Sequence, residues 1–207
     1  MNTTKNWGVL ATEESINKTI AALKANGMDA VVVADAAATK AKVIELIPKG
    51  AEIMNQTSVT LETVGLAKEI NESGNYDSVR NKLNAMDRKT QGAAMQKLGA
   101  APEWVIGSVH SVTENGEVFI ASNTGSQLSS YAYGSSHVIW VVGTQKIVKD
   151  ADEATHRMFE HSLELEHVRA NKAYGVPGSA INKILKINKE VKPGRITIIF
   201  VKEVLGF

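Results

Sequence analysis

Residues 118–127, Val-Phe-Ile-Ala-Ser-Asn-Thr-Gly-Ser-Gln, read as a strand that passes through a polar loop into a helix. Gly125, between Thr124 and Ser126, would leave N–H groups and hydroxyls free at the start of that helix, where the helix dipole favours an anion. Asn123 and Gln127 complete the polar set. A phosphate or a carboxylate suits such a loop, although the same residues also make a plain capped turn. Asn55, Gln56, Thr57 and Ser58 form a second loop of this kind, again after a strand and before a helix. If the two strands are parallel neighbours, both loops open on one crevice, where α/β folds keep their ligands.

Glu62 and Glu114 are the carboxylates nearest these loops, and a carboxylate facing an anion-binding loop can serve as base or nucleophile. Both also have structural explanations. Glu62 falls in the first turn of a helix, where negative charge is favourable, and Glu114 begins the Thr-Glu-Asn-Gly turn. Lys146 follows a strand end and is the cation that would enter the same crevice, unless it is an ordinary surface lysine. Glu166 and Arg169, three apart, read as an ion pair on a helix surface.

Other chemistries are excluded by what the sequence lacks. No two glycines lie two apart, so neither the dinucleotide fingerprint nor a kinase-type glycine loop is present, and there is no Walker lysine loop or Gly-x-Ser-x-Gly elbow. With no cysteine there are no disulfides, thiolate zinc sites or cysteine-held iron–sulfur clusters, so any redox centre must be borrowed. His156, His161 and His167 do not converge on one helix: the first and last share a face but stand ~16 Å apart at the helical rise. No metal site follows from them, and the cofactor stays unknown.

The elements that must position these groups alternate. Residues 14–25 carry Ile16, Ile20 and Leu23 at helical spacing and stop at Asn26-Gly27. Strand 29–35, helix 36–47, strand 51–55 and helix 61–70 follow, the signature of a parallel α/β layer. Residues 77–98 read as one broken helix or two short ones. Residues 105–112 and 118–121 flank Asn115-Gly116, which predicts a hairpin with positive φ at Asn115. A helix-like 127–133 and a buried strand 137–142 come next. Asp150 caps a long helix to about 171, with Ala154, Met158, Leu165 and Val168 on its apolar stripe, and residues 196–201 close the chain as a strand.

At 207 residues, with 43% hydrophobic and 22% charged residues, the chain reads as one folded domain. Its formal charge of +1, with scattered basic residues, disfavours a nucleic-acid partner. No apolar run approaches the ~20 residues of a membrane helix, and residues 1–14 show no secretory leader, so no membrane and a cytoplasmic address are expected. An oligomer stays open.

Taken as an ordered set, residues 108–125, residues 131–148, Leu165-Glu166 with Arg169, Tyr174-Gly175, Asn182-Lys183, and the ending 193–196 to 205–207 resemble the lactate-utilisation (LUD) domain family over nearly the whole chain. The resemblance implies a Rossmann-like three-layer α/β fold with a mixed, mostly parallel sheet and a β-hairpin excursion, akin to ribose-phosphate isomerases, glucosamine-phosphate deaminases and CoA transferases. Better-known members carry Glu-Thr-Gly-Thr where this chain has Glu114, Asn115, Gly116 and Glu117, so two hydroxyls are missing. Glu114-Asn115-Gly116 is also similar to the segment holding the nucleophilic glutamate of CoA transferases. The resemblance implies an accessory subunit of an organic-acid oxidising system that binds a small anionic metabolite (carboxylate, phosphate or CoA ester) beside an iron–sulfur protein partner. The alternative is an enzyme, transferase-like or isomerase-like, working through Glu114 or Glu62.

Overall fold

The computed structural model describes residues 5–207, so the first four residues of the stretch read for a leader lie outside it. Among the described residues, ten strands form two sheets. The larger contains β1 (Asp29–Val33), β2 (Glu52–Asn55), β3 (Asp77–Ser78), β4 (Trp104–Gly107), β7 (His137–Gly143) and β10 (Ile196–Val201), in the order β1-β10-β7-β4-β2-β3, with every pairing parallel. The smaller runs β8-β5-β6-β9, from β5 (Ser111–Thr113), β6 (Val118–Ser122), β8 (Ile147–Val148) and β9 (Lys183–Ile187). This is a Rossmann-like three-layer α/β fold with a hairpin excursion.

Both faces of the large sheet are covered, as parallel sheets require. Alternation along β10 shows how: Ile196, Ile198 and Phe200 enter one core with Trp140, Val105 and Leu23, while Ile199 and Val201 enter the other with Ile53, Leu61 and Ile70. The first core lies under α1 (Glu13–Ala25), capped by Thr12, whose hydroxyl accepts from the Ser15 N–H. The second lies under α2 (Ala36–Leu46), α3 (Val59–Val64) and α4 (Leu66–Glu72). α5 (Val79–Ala85) and α6 (Arg88–Ala100) follow β3.

Several boundaries differ from the sequence reading. The helix expected over 61–70 is two, because Gly65 takes φ +75° between α3 and α4. The run 105–112 is not one strand. It is β4 in the large sheet and β5 in the small one, parted where a Gly107 side chain would overlap the Tyr131 hydroxyl. Asn115 has no positive φ; Gly116 alone does, at +77°, and a side chain there would strike the backbone of α1 at Ala22 and Leu23. The helix-like 127–133 closes as a π-helical turn, Ser130–Gly134. The long helix is α7 (Ala151–Arg157), a π segment (Met158–Ser162) and α8 (Leu163–Tyr174). That wider turn rotates the faces out of register, so Ala154 and Met158 are buried while Leu165 and Val168 are 40% and 69% exposed.

Candidate functional site

Neighbouring parallel strands β2, β4 and β7 end side by side, and their C-terminal continuations line one part of a cavity of about 1460 Å³. After β2 come Gln56, Thr57, Ser58 and Thr60; after β4, Ser108, Val109 and His110; after β7, Lys146, in a short 3₁₀ turn. The loop of Asn123, Thr124, Gly125, Ser126 and Gln127 reaches the same cavity from the small sheet. The strand before that loop, β6, is therefore not the parallel neighbour of β2; β4 is.

The structure brings together Thr57, Ser58, Asn123, Thr124, Gly125, Ser126, Gln127 and Lys146 on the lining of this cavity. Asn55 lies behind it, buried, its carbonyl accepting from Arg80 Nη2 at 2.9 Å. Glu62 and Glu114 do not line it. Glu62 is exposed on α3. Glu114 accepts from the Lys18 ammonium at 2.8 Å and the Ser15 hydroxyl at 2.7 Å, and these two partners hold its carboxyl below the usual range. Within the 122–127 loop several donors are already engaged. Gly125 N–H donates to Ser122 Oγ, Ser126 N–H to Thr124 Oγ1, and Lys183 Nζ donates to the Thr124 carbonyl.

Lys146 is 1% exposed and has no acidic partner among the described residues. Its Nζ lies 3.1 Å from Ser108 Oγ and 3.4 Å from Thr60 Oγ1, and the Thr60 hydroxyl in turn donates to the Leu205 carbonyl. Burial, and then the charge of Arg157, push the amine well below its ordinary range. Arg157 is itself fully buried; Nη1 donates to the His110 carbonyl and to Ser162 Oγ, while Nε and Nη2 have no partner. Burial alone lowers it to about 10. His110 is pushed down to about 3 by burial and by the charges of Lys146 and Arg157. Its Nδ1 accepts from the Ala121 N–H at 3.1 Å, which puts the ring proton on Nε2.

Charge on the lining is one-sided. Arg80, Arg88, Lys146 and Arg169 face a single acidic side chain, Glu166, which Arg169 grips with two bonds of 2.7 Å. This pair thus stands at the cavity wall rather than on an ordinary helix surface. Ser108, His110 and Arg157 carry no sequence motif, and only the position of Ser108 just past a strand end could have marked it; Gln56 belongs to the second polar loop, 55–58. Among the described residues no cluster of three or more His, Asp or Glu is placed to hold a metal ion, and no helix is long and apolar enough to cross a membrane.

The fold and site define an α/β protein of Rossmann-like class with a basic-lined cavity at the ends of its parallel strands. The LUD domain family model matches residues 16–201, so the chain belongs to the LUD domain family, associated with lactate utilisation. Among solved structures, a DUF162 family protein from Deinococcus radiodurans is similar in fold: TM-score 0.55 at 11% identity, over 93% of this chain and 99% of that one. No curated protein matches the chain.

Proposed function

We propose that this chain binds a small organic anion, a carboxylate of the lactate type, in the cavity at the ends of β2, β4 and β7, and serves as an accessory subunit of an organic-acid oxidising system. One observation carries the reading: three arginines line the cavity together with the buried Lys146, and its one carboxylate, Glu166, is already paired with Arg169. A positive, partly dehydrated wall lowers the free energy of an anion far more than exposed charges do. Arg88 supplies charge from an exposed part of the lining, Arg169 enters as a pair with Glu166, and the hydroxyls of Ser58, Thr57 and Ser126 supply further donors. Membership of a family associated with lactate utilisation supports the carboxylate over a phosphate. No step runs through Glu114 or Glu62. Because the chain has no cysteine to hold a cluster, electrons taken from the bound acid would pass to an iron–sulfur partner.

Thermal shift of the full chain with lactate, glycolate, a sugar phosphate and an acyl-CoA tests this, since a ligand of the native state raises Tm as RT ln(1 + [L]/Kd). The expected result is a rise with the carboxylates that is lost in Arg88→Ala and Arg169→Ala. No rise with any anion, or an equal rise in both variants, contradicts it.

A further inference from the structure

A second relationship inside the cavity goes beyond binding. Ser108 is half-buried on the cavity lining, the Lys146 amine stands 3.1 Å from its hydroxyl, and Thr60 Oγ1 lies 3.4 Å from that amine. The Thr60 hydroxyl lies 3.2 Å from the Leu205 carbonyl and 3.4 Å from Ser108 Oγ, and donating to the nearer carbonyl leaves its oxygen to accept from Lys146. A nucleophile, a base behind it and a third group orienting the base is the constellation of activated-serine acyl transfer. Gln56 adds a further part. It is 8% exposed, lines the cavity in the strand continuation beside Gly107 and Ser108, and its Nε2 has no hydrogen-bond partner.

We propose that Ser108 is a nucleophile and Lys146 its general base, and that the cavity accepts an ester or thioester whose acyl part carries a carboxylate. The order of burial decides between the two candidate nucleophiles. Lys146 is too enclosed for a carbonyl carbon to reach Nζ, whereas Ser108 is only half-buried on the cavity lining. Burial and Arg157 favour the neutral amine that a base must be. In that form the Ser108 hydroxyl donates to Nζ.

The step balances without an oxidant. Ser108 Oγ bonds to the acyl carbon and its proton moves to Lys146. The carbon–sulfur or carbon–oxygen bond to the leaving group breaks, and the leaving thiol or alcohol departs with that proton. Water then attacks the acyl-serine ester as a proton passes from it to Lys146, the bond from the acyl carbon to Ser108 Oγ breaks, and Lys146 returns that proton to Oγ, freeing the acid and restoring the hydroxyl and the neutral amine. Gln56 Nε2 donates to the oxygen that becomes negative at each addition. The size of the space is consistent with this: about 1460 Å³ exceeds the roughly 300–1,000 Å³ of ordinary small-molecule pockets, leaving room for a leaving group beside a short acid. The proposal rests on the anion-binding reading only for the charge of the acyl part.

The test uses the full chain, a fluorophosphonate probe and p-nitrophenyl succinate, followed by intact mass and peptide mapping. A single adduct on Ser108 is expected, absent in Ser108→Ala and formed about 10²-fold more slowly in Lys146→Met. Thr60→Val should slow it too, and Thr60→Ser should restore it. The fluorophosphonate carries no carboxylate, so its labelling of the native chain is read independently of the lactate-induced rise in Tm, and failure of the nucleophile is distinguished from failure of the anion site. Should Lys146→Met not fold, Ser108→Cys serves instead. It provides the chain's sole thiol, which iodoacetamide should alkylate at pH 7 about tenfold or more faster than a free cysteine thiol, as an adjacent base implies. Absence of a Ser108 adduct in the native chain, an adduct elsewhere, or rates indifferent to Lys146→Met or to the thiol's surroundings overturn the proposal.

Discussion

Lys146 Nζ and Ser108 Oγ lie 3.1 Å apart although 38 residues separate them in the chain. Their meeting follows from register. β4 and β7 are parallel neighbours with Gly107 opposite Trp140, so the loop leaving β4 and the turn leaving β7 emerge at one end of the sheet. Tyr131 packs edge-on against Trp140 and sets its hydroxyl where a Gly107 side chain would be, which turns the chain out of the sheet just before Ser108. A residue with a side chain at 107 would displace the nucleophile and the base from each other.

Gly107→Ala is therefore expected to destabilise the protein by roughly 1–3 kcal/mol, the usual cost of overpacking a core. Tyr131→Phe removes the oxygen that the new methyl would strike. Urea unfolding of both single variants and the double variant should show a coupling of at least about 0.5 kcal/mol in the direction of rescue. Strict additivity contradicts the overlap.

Lys146→Met should stabilise the protein at pH 7. The folded amine has its pKa held well below the ordinary 10.5 by burial and Arg157, so over the interval between the two values the unfolded chain binds a proton that the folded chain does not. Stability of the native sequence then rises with pH through that interval, by at most about 1.4 kcal/mol per unit for one proton. The methionine variant lacks this slope, and its advantage should shrink as pH approaches 10.5. Denaturation at pH 7 and pH 10 measures both.

His110 gives the acid counterpart. With its folded pKa near 3 against an ordinary 6.5, the unfolded state takes up a proton between these values that the folded state refuses, and stability falls as pH falls from 6.5 towards 3. His110→Asn keeps an acceptor for the Ala121 N–H but does not titrate. It should lose less stability than the native sequence between pH 6.5 and 4, as read by Tm against pH.

Glu114→Gln should cost about 0.5–1 kcal/mol near neutral pH, the worth of a partly exposed ion pair with Lys18. Its folded pKa lies below 4.5, so that contribution is present above pH 4.5 and is lost as pH falls through the folded value. The variant and the native chain should converge in acid, and lactate binding should be the same in both. A loss of binding would move Glu114 into the site.

Much of the fold is legible because buried parallel strands write themselves as short β-branched runs, as at Val31 to Val33 and Ile196 to Val201. β9 is not legible. Lys183, Lys186 and their neighbours form a short, half-polar edge strand whose partner, β6, lies some 60 residues earlier. The cavity was readable only in part. Thr124 to Gln127 and Lys146 carry local signals, a glycine turn and a cation past a strand end. Gln56 is marked only as part of the polar loop 55–58, Arg169 only as the partner of Glu166 and Ser108 only by its place past a strand end, since strand register and the π segment before α8 are what bring them to the cavity wall.

The most direct measurement of anion binding at the strand ends is a titration of the ¹⁵N-labelled full chain with lactate, followed by amide chemical shifts. Saturable shifts gathered in residues 56–60, 108–110, 122–127 and 144–146, and abolished in Arg169→Ala, are expected. Shifts centred on the Glu114 turn, or none at millimolar lactate, would contradict a carboxylate site in this cavity.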